Sequence, residues 1–195
     1  MKKFFYLMAM AIVATAFTVS CGSDDDDDNN TVPQNAEIKG LVGCYIISVT
    51  QQMAQLCDYT MTYYDINGKL TTEQATWTTS NGIATWTKDV SSTVIPATFG
   101  IKVNVKVKDN AQLDDIHIDN IQPVTKVLYL QGVTTDGKKA WDTEVALGAE
   151  AVTTTDTSGK KLPEYIARWE QRGGIINKTY TFDKDGNQIS SGKIE

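Results

Sequence analysis

The chain has 195 residues, with 18 Lys and Arg against 24 Asp and Glu, one His and a net charge of −6. Five consecutive Asp at 24–28 carry most of that acidity; without them and the basic Lys2-Lys3 start the remainder sits at about −3. That near balance argues against a nucleic-acid surface, and a single histidine excludes a multi-histidine metal centre. In chain order, the first segment is Met1-Lys2-Lys3, then an uncharged apolar run over 4–17, then Thr18-Val19-Ser20 before Cys21. A basic start, an apolar run and a small-residue zone make a secretory leader, and the run is too short to span a bilayer. Two cleavage sites suit the pattern. One is an ordinary cut after Ala14-Thr15-Ala16 or after Ser20, with Cys21 a bystander. The other is a cut directed to Cys21, which removes 20 residues and leaves 175. The Asp run that follows is a self-repelling, solvated spacer. Polar residues with Pro33 continue the linker to about 36. The organisation predicted is a leader over 1–20, a tether over 21–36 and one domain over 37–195.

The domain is dominated by period two. Tyr45, Ile47 and Val49 alternate with Ile46, Ser48 and Thr50, and Tyr59, Met61 and Tyr63 alternate with Thr60, Thr62 and Tyr64. The clearest strand is 101–108: Ile101, Val103, Val105 and Val107 face one way, and Lys102, Asn104, Lys106 and Lys108 the other. That is a strand with one dry and one wet face. Ile116-His117-Ile118, Val127-Leu128-Tyr129-Leu130 and Thr179-Tyr180-Thr181-Phe182 continue in kind. Asp65-Ile66-Asn67-Gly68, Ser80-Asn81-Gly82, Asp136-Gly137 and Asp183-Lys184-Asp185-Gly186 punctuate the runs with hairpin chemistry. The segment 163–174 fits either a short helix, with Pro163 in its first turn and Gly173 at its end, or a strand burying Tyr165, Ala167 and Trp169. Because clear β pattern follows it, a strand is expected. The sum is eight to ten antiparallel strands, closed or nearly closed on themselves.

Three stretches resemble known families. Thr18-Val19-Ser20-Cys21 resembles the lipobox of bacterial lipoproteins, with Thr18 where that family usually has an aliphatic. The resemblance implies that Cys21 is acylated and becomes a membrane anchor. Ser23-Asp24-Asp25-Asp26 resembles the surface-export signal of Bacteroidota-type lipoproteins, which implies an outer-membrane location facing outward. Leu41-Val42-Gly43-Cys44-Tyr45, followed by Tyr63-Tyr64-Asp65-Ile66-Asn67-Gly68, resembles the opening of their lipocalin-like domains, with Tyr45 in place of Trp. It implies an up-and-down barrel whose Gly43 permits close backbone approach and whose mouth holds a small apolar or amphipathic ligand. The alternation itself is equally served by an immunoglobulin-like β-sandwich displayed for adhesion or glycan contact.

In an oxidising compartment, Cys44 and Cys57 are most simply a disulfide between neighbouring first strands; the alternative is two buried free thiols. His117 lies mid-strand with no nucleophile at a suggestive spacing, so no catalytic residue is assigned. Asp65 and Asp183 open Asp-x-x-Gly sequences like calcium loops but lack the later ligands, and read as turns; no metal or cofactor is expected. Asp114, Asp115 and Asp119 would serve glycoside chemistry only if two of them faced each other. Of the four tryptophans, Trp77, Trp86, Trp141 and Trp169, most are expected to fill the core, and one or two to line a ligand mouth; Trp77 and Trp86, with Tyr129, are the candidates for that lining.

Overall fold

The computed structural model describes residues 37–148 and 155–195. The expected leader, the expected acylation site Cys21 and the expected export residues Ser23, Asp24, Asp25 and Asp26 lie outside the described residues. In order, the chain forms β1 (Ile38–Thr50), α1 (Gln51–Leu56), β2 (Cys57–Tyr64), β3 (Leu70–Gln74), β4 (Thr78–Ser80), β5 (Ile83–Ser92) and β6 (Ala97–Val107). It continues with β7 (His117–Ile118), β8 (Thr125–Thr134), β9 (Lys139–Ala146), β10 (Thr157–Ser158), α2 (Leu162–Gln171), β11 (Ile176–Phe182) and β12 (Gln188–Gly192).

The strands pair into two five-stranded antiparallel sheets, ordered β4-β5-β1-β8-β9 and β12-β11-β6-β2-β3, with β10-β7 a small separate pair. The fold class is therefore all-β and antiparallel, as the alternation required, but neither sheet is closed into a barrel. An up-and-down order would pair β1 with β2. Instead β1 lies between β5 and β8, and β2 between β3 and β6. The switch is made by α1. Thr50 ends β1 and caps the helix, its hydroxyl accepting from the Met53 N–H at 3.2 Å, which satisfies one of the free donors of the first turn. After the helix's six residues, Cys57 opens β2 in the other sheet.

The dry faces of both sheets meet in one core. Tyr45, Ile47 and Val49 of β1 and Leu128 and Leu130 of β8 pack with Tyr59, Met61 and Tyr63 of β2 and Phe99, Ile101, Val103 and Val105 of β6. Each such side chain removed from water contributes about 1.5–3 kcal/mol. Tyr45 also bridges the sheets with its hydroxyl, which donates to the Gly100 carbonyl at 2.9 Å and accepts from the Gly100 N–H at 2.6 Å. Gly43 performs the close approach expected of it: a Cβ there would stand 2.6 Å from the Tyr129 carbonyl oxygen on β8. Three of the hairpins share one construction, in which Asp65 and Lys69, Thr134 and Lys138, and Asp183 and Asn187 close the loop through their backbones. Gly68, Gly137 and Gly186 take φ of 67°, 81° and 80° in them, a conformation that favours glycine.

Two expectations are corrected. The segment 163–174 is not a strand but the helix α2, ending at Gln171. The buried set decides it: Leu162, Ile166 and Trp169 face the core while Ala167 is exposed. That spacing follows a helical stripe rather than alternation. Cys44 and Cys57 do not form a disulfide; both are free and buried. They sit in different sheets on opposite sides of the switch. Cys44 shares the face of β1 turned away from Tyr45 and lies across from Asp89 and Tyr129, whereas Cys57 is in the core. Burial pushes both thiols up to about 12, with Asp89 adding to the effect at Cys44.

Candidate functional site

The three aromatics expected to line one mouth are dispersed. Trp86 is 3 % exposed; its indole N–H donates to Glu73 Oε1 at 3.1 Å and its ring meets Tyr63 edge-on at 5.6 Å. Tyr129 stands on the outer face of β8, its hydroxyl donating to Asp142 Oδ2 at 2.5 Å. Trp77 alone borders a cleft. Trp169 packs in the core. Trp141 instead lies over the β11–β12 turn, its N–H donating to the Lys184 carbonyl at 2.9 Å.

The acids singled out in the sequence face cations or their own turns. Asp114 and Asp115 lie 3.4 and 4.0 Å from the Lys160 ammonium. Asp119 and Asp156 lie 3.6 and 3.7 Å from His117 Nε2, on an exposed side chain. Asp65 accepts from the Asn67 and Lys69 N–H groups and the Thr71 hydroxyl. Asp183 accepts from the Asp185 and Asn187 N–H groups and the Asn187 amide. These donors hold both carboxyls below the usual range and close each Asp side chain onto its own turn.

A charged cluster that joins β3 to β5 has no signature in the sequence. Glu73 Oε2 accepts from the Lys88 ammonium at 2.8 Å and the Tyr63 hydroxyl at 2.9 Å, while Oε1 takes the Trp86 N–H. Lys88 also lies 5.5 Å from the Tyr63 ring centre. Partial burial works to raise the Glu73 carboxyl, but the Lys88, Tyr63 and Trp86 donors outweigh it and leave it lowered. Lys88 is raised by its bond to Glu73. With three donors aimed at one carboxylate, the cluster ties the two sheets together.

The Trp77 cleft has a volume of about 370 Å³. Four elements frame it: the end of α1, the start of β2, the segment after β3 and the end of β6. The Ala75 N–H donates to the Tyr59 carbonyl at 2.8 Å and so draws the post-β3 segment back over β2. Trp77 then stands perpendicular to Tyr59 with ring centres 5.2 Å apart. Gln74 donates to the Thr60 hydroxyl at 2.9 Å on the polar rim. Lys108 donates through its backbone to Leu56 and through its ammonium to the Ala54 carbonyl, both at 2.9 Å. The Tyr59 hydroxyl is the one buried side-chain polar atom without a partner among the described residues. The unpartnered indole N–H of Trp77 is therefore at the surface.

A second cleft, of about 420 Å³, lies between β9 and the β11–β12 hairpin. Its Tyr180 hydroxyl is already engaged by the Ala146 carbonyl at 2.9 Å and its Phe182 is buried. It offers less free aromatic and polar surface than the Trp77 cleft. No family model, curated protein or solved structure matches the chain.

Proposed function

We propose that this chain is a lipid-anchored binding module displayed outward from an outer membrane, without catalysis, and that the Trp77 cleft is its contact site for a saccharide. The anchor is Cys21, the address is Ser23-Asp24-Asp25-Asp26, and the Asp run keeps the domain clear of the membrane. The observation that carries the saccharide reading is Trp77 itself: a half-buried ring, fixed edge-on by Tyr59, beside the polar rim of Gln74 and Thr60. An apolar ring face with hydrogen-bonding groups at its margin complements a pyranose, which has one apolar face and an equatorial belt of hydroxyls.

Of the two finer architectures, the sandwich is favoured over the lipocalin-like barrel. A barrel's apolar ligand would occupy the space between the sheets, where Tyr45, Met61, Tyr63, Phe99 and Ile101 are packed together. On a glycan array, Trp77→Ala should abolish a signal that Trp141→Ala leaves intact. An unchanged signal in Trp77→Ala overturns the site. A small apolar molecule retained by the native protein in mass spectrometry would restore the barrel reading. Cys21→Ser should release the chain from the membrane fraction, with loss of the acyl mass.

A further inference from the structure

The charges around the Trp77 cleft are unequal. Lys106 is paired with Asp109, whose Oδ1 lies 3.1 Å from its ammonium, and stands across from Asp58, which also lines the cleft. Lys108 is half-buried on the same wall, and its ammonium is held 2.9 Å from the Ala54 carbonyl oxygen. No carboxylate among the described residues stands within ion-pair distance of it. An ammonium carries three donors, so one is engaged by the carbonyl and two remain. The carbonyl also fixes the side chain, which lowers the entropy an incoming partner must overcome. Trp77 lines the same cleft.

We infer that the Trp77 cleft is selective for an acidic saccharide, the carboxylate of a uronate ring meeting the Lys108 ammonium while the ring face lies on Trp77. This rests on the saccharide reading above and names the class of sugar. A uronate carries its carboxylate at the edge of the ring, so stacking on the indole and pairing with a cation on the cleft wall are made by one sugar unit. The local character of the site matters because the domain as a whole is weakly acidic and gives an anion no long-range attraction. Only a cation inside the cleft can reverse that preference.

Calorimetric titration of the full chain in mild detergent tests this with a panel of tetrasaccharide uronates (galacturonate, glucuronate, mannuronate and guluronate), each beside its methyl ester. The ester keeps the shape and removes the charge. At least one free acid should bind about tenfold tighter than its ester, the worth of one charge-assisted hydrogen bond, and the difference should shrink in high salt. Lys108→Gln should bring the affinity for the acid down to that for its ester; Lys108→Arg should retain the difference, which also guards against a folding defect in the Gln variant. Trp77→Ala should weaken acid and ester together. Equal affinity for acid and ester, or a preference that survives Lys108→Gln, overturns the acidic class while leaving the saccharide reading in place. Failure of the whole panel and of neutral oligosaccharides removes the saccharide reading and this inference with it.

Discussion

Tyr45→Phe isolates the one hydroxyl that joins the two sheets through the middle of the core. The pairing of β2 with β6 stops at Tyr63 opposite Ile101. The Tyr45 hydroxyl meets both backbone groups of the adjoining residue, Gly100, at 2.9 and 2.6 Å. Tyr45 is 0 % exposed, so water does not replace the lost oxygen without opening the sheets. Removing it leaves one buried donor and one buried acceptor with nothing in place of the hydroxyl, each costing about 1–3 kcal/mol. The ring stays, so the apolar term is nearly constant. A loss of about 2–6 kcal/mol is expected, which with a urea slope of about 2 kcal/mol per molar lowers the midpoint by about 1–3 M without changing the slope. Tyr129→Phe is the matched control: its hydroxyl binds Asp142 on an outer face, and the cost there should stay below about 1 kcal/mol. Equal shifts for the two variants, or a Tyr45→Phe loss under about 0.5 kcal/mol, would refute a bridging role for the hydroxyl.

Cys44 and Cys57 should both take an alkylating reagent after denaturation without reductant and resist it in the native state; failure to label the denatured chain would restore a disulfide. Their ordinary value of 9.0 is raised to about 12 in the fold, so the folded chain keeps protons that the unfolded chain releases. Their stabilising contribution is then complete below about pH 9 and lost as the pH climbs towards 12, at up to about 1.4 kcal/mol per pH unit for each thiol. Cys44→Ala/Cys57→Ala should have a shallower alkaline limb in urea titrations, and an unchanged limb contradicts the burial of the thiols. At the other end of the scale, the lowered Glu73 carboxyl contributes stability above its unfolded range that is lost as pH falls through the folded value. Glu73 and Lys88 are 32 % and 37 % exposed, so after screening Glu73→Gln should cost about 1 kcal/mol at neutral pH. It should also flatten the acid limb, whereas an identical acid limb would place the titration elsewhere.

Alternation made the dry and wet faces of 101–108 visible in advance, and the Asn-Gly and Asp-Gly turns marked four hairpins, because both depend on neighbours in the chain. What α1 does was not visible. Six residues, Gln51–Leu56, carry only Met53 and Ala54 as buried residues, too few to show a helical period against the flanking alternation. Yet this helix moves the chain from one sheet to the other, and with that move the expected neighbour pairing of Cys44 and Cys57 is lost. The segment 163–174 misled for a related reason: Trp169 satisfies both periods, and only the exposure of Ala167, set by the fold, separates them. Trp77 stood out because a tryptophan beside polar residues is conspicuous, and it does border a cleft. Glu73 and Lys88 were not, since a charge on an alternating strand looks like any wet-face residue until its partner is known.

The same switch that hid the topology builds the cleft. Because α1 ends where β2 begins, the Ala54 carbonyl is left free to hold Lys108 at 2.9 Å, and Lys108 in turn closes its backbone onto Leu56. The Trp77 wall is set from the other side by the Ala75–Tyr59 backbone bond and by the perpendicular ring of Tyr59. Tyr59 keeps its hydroxyl buried without a partner, at a cost of about 1–3 kcal/mol, where a phenylalanine would supply the same supporting ring without that penalty. Tyr59→Phe should therefore stabilise the domain or leave it unchanged while Trp77 keeps its pose. A loss of saccharide binding in that variant, with stability maintained, would show that the hydroxyl acts on the ligand rather than on the fold.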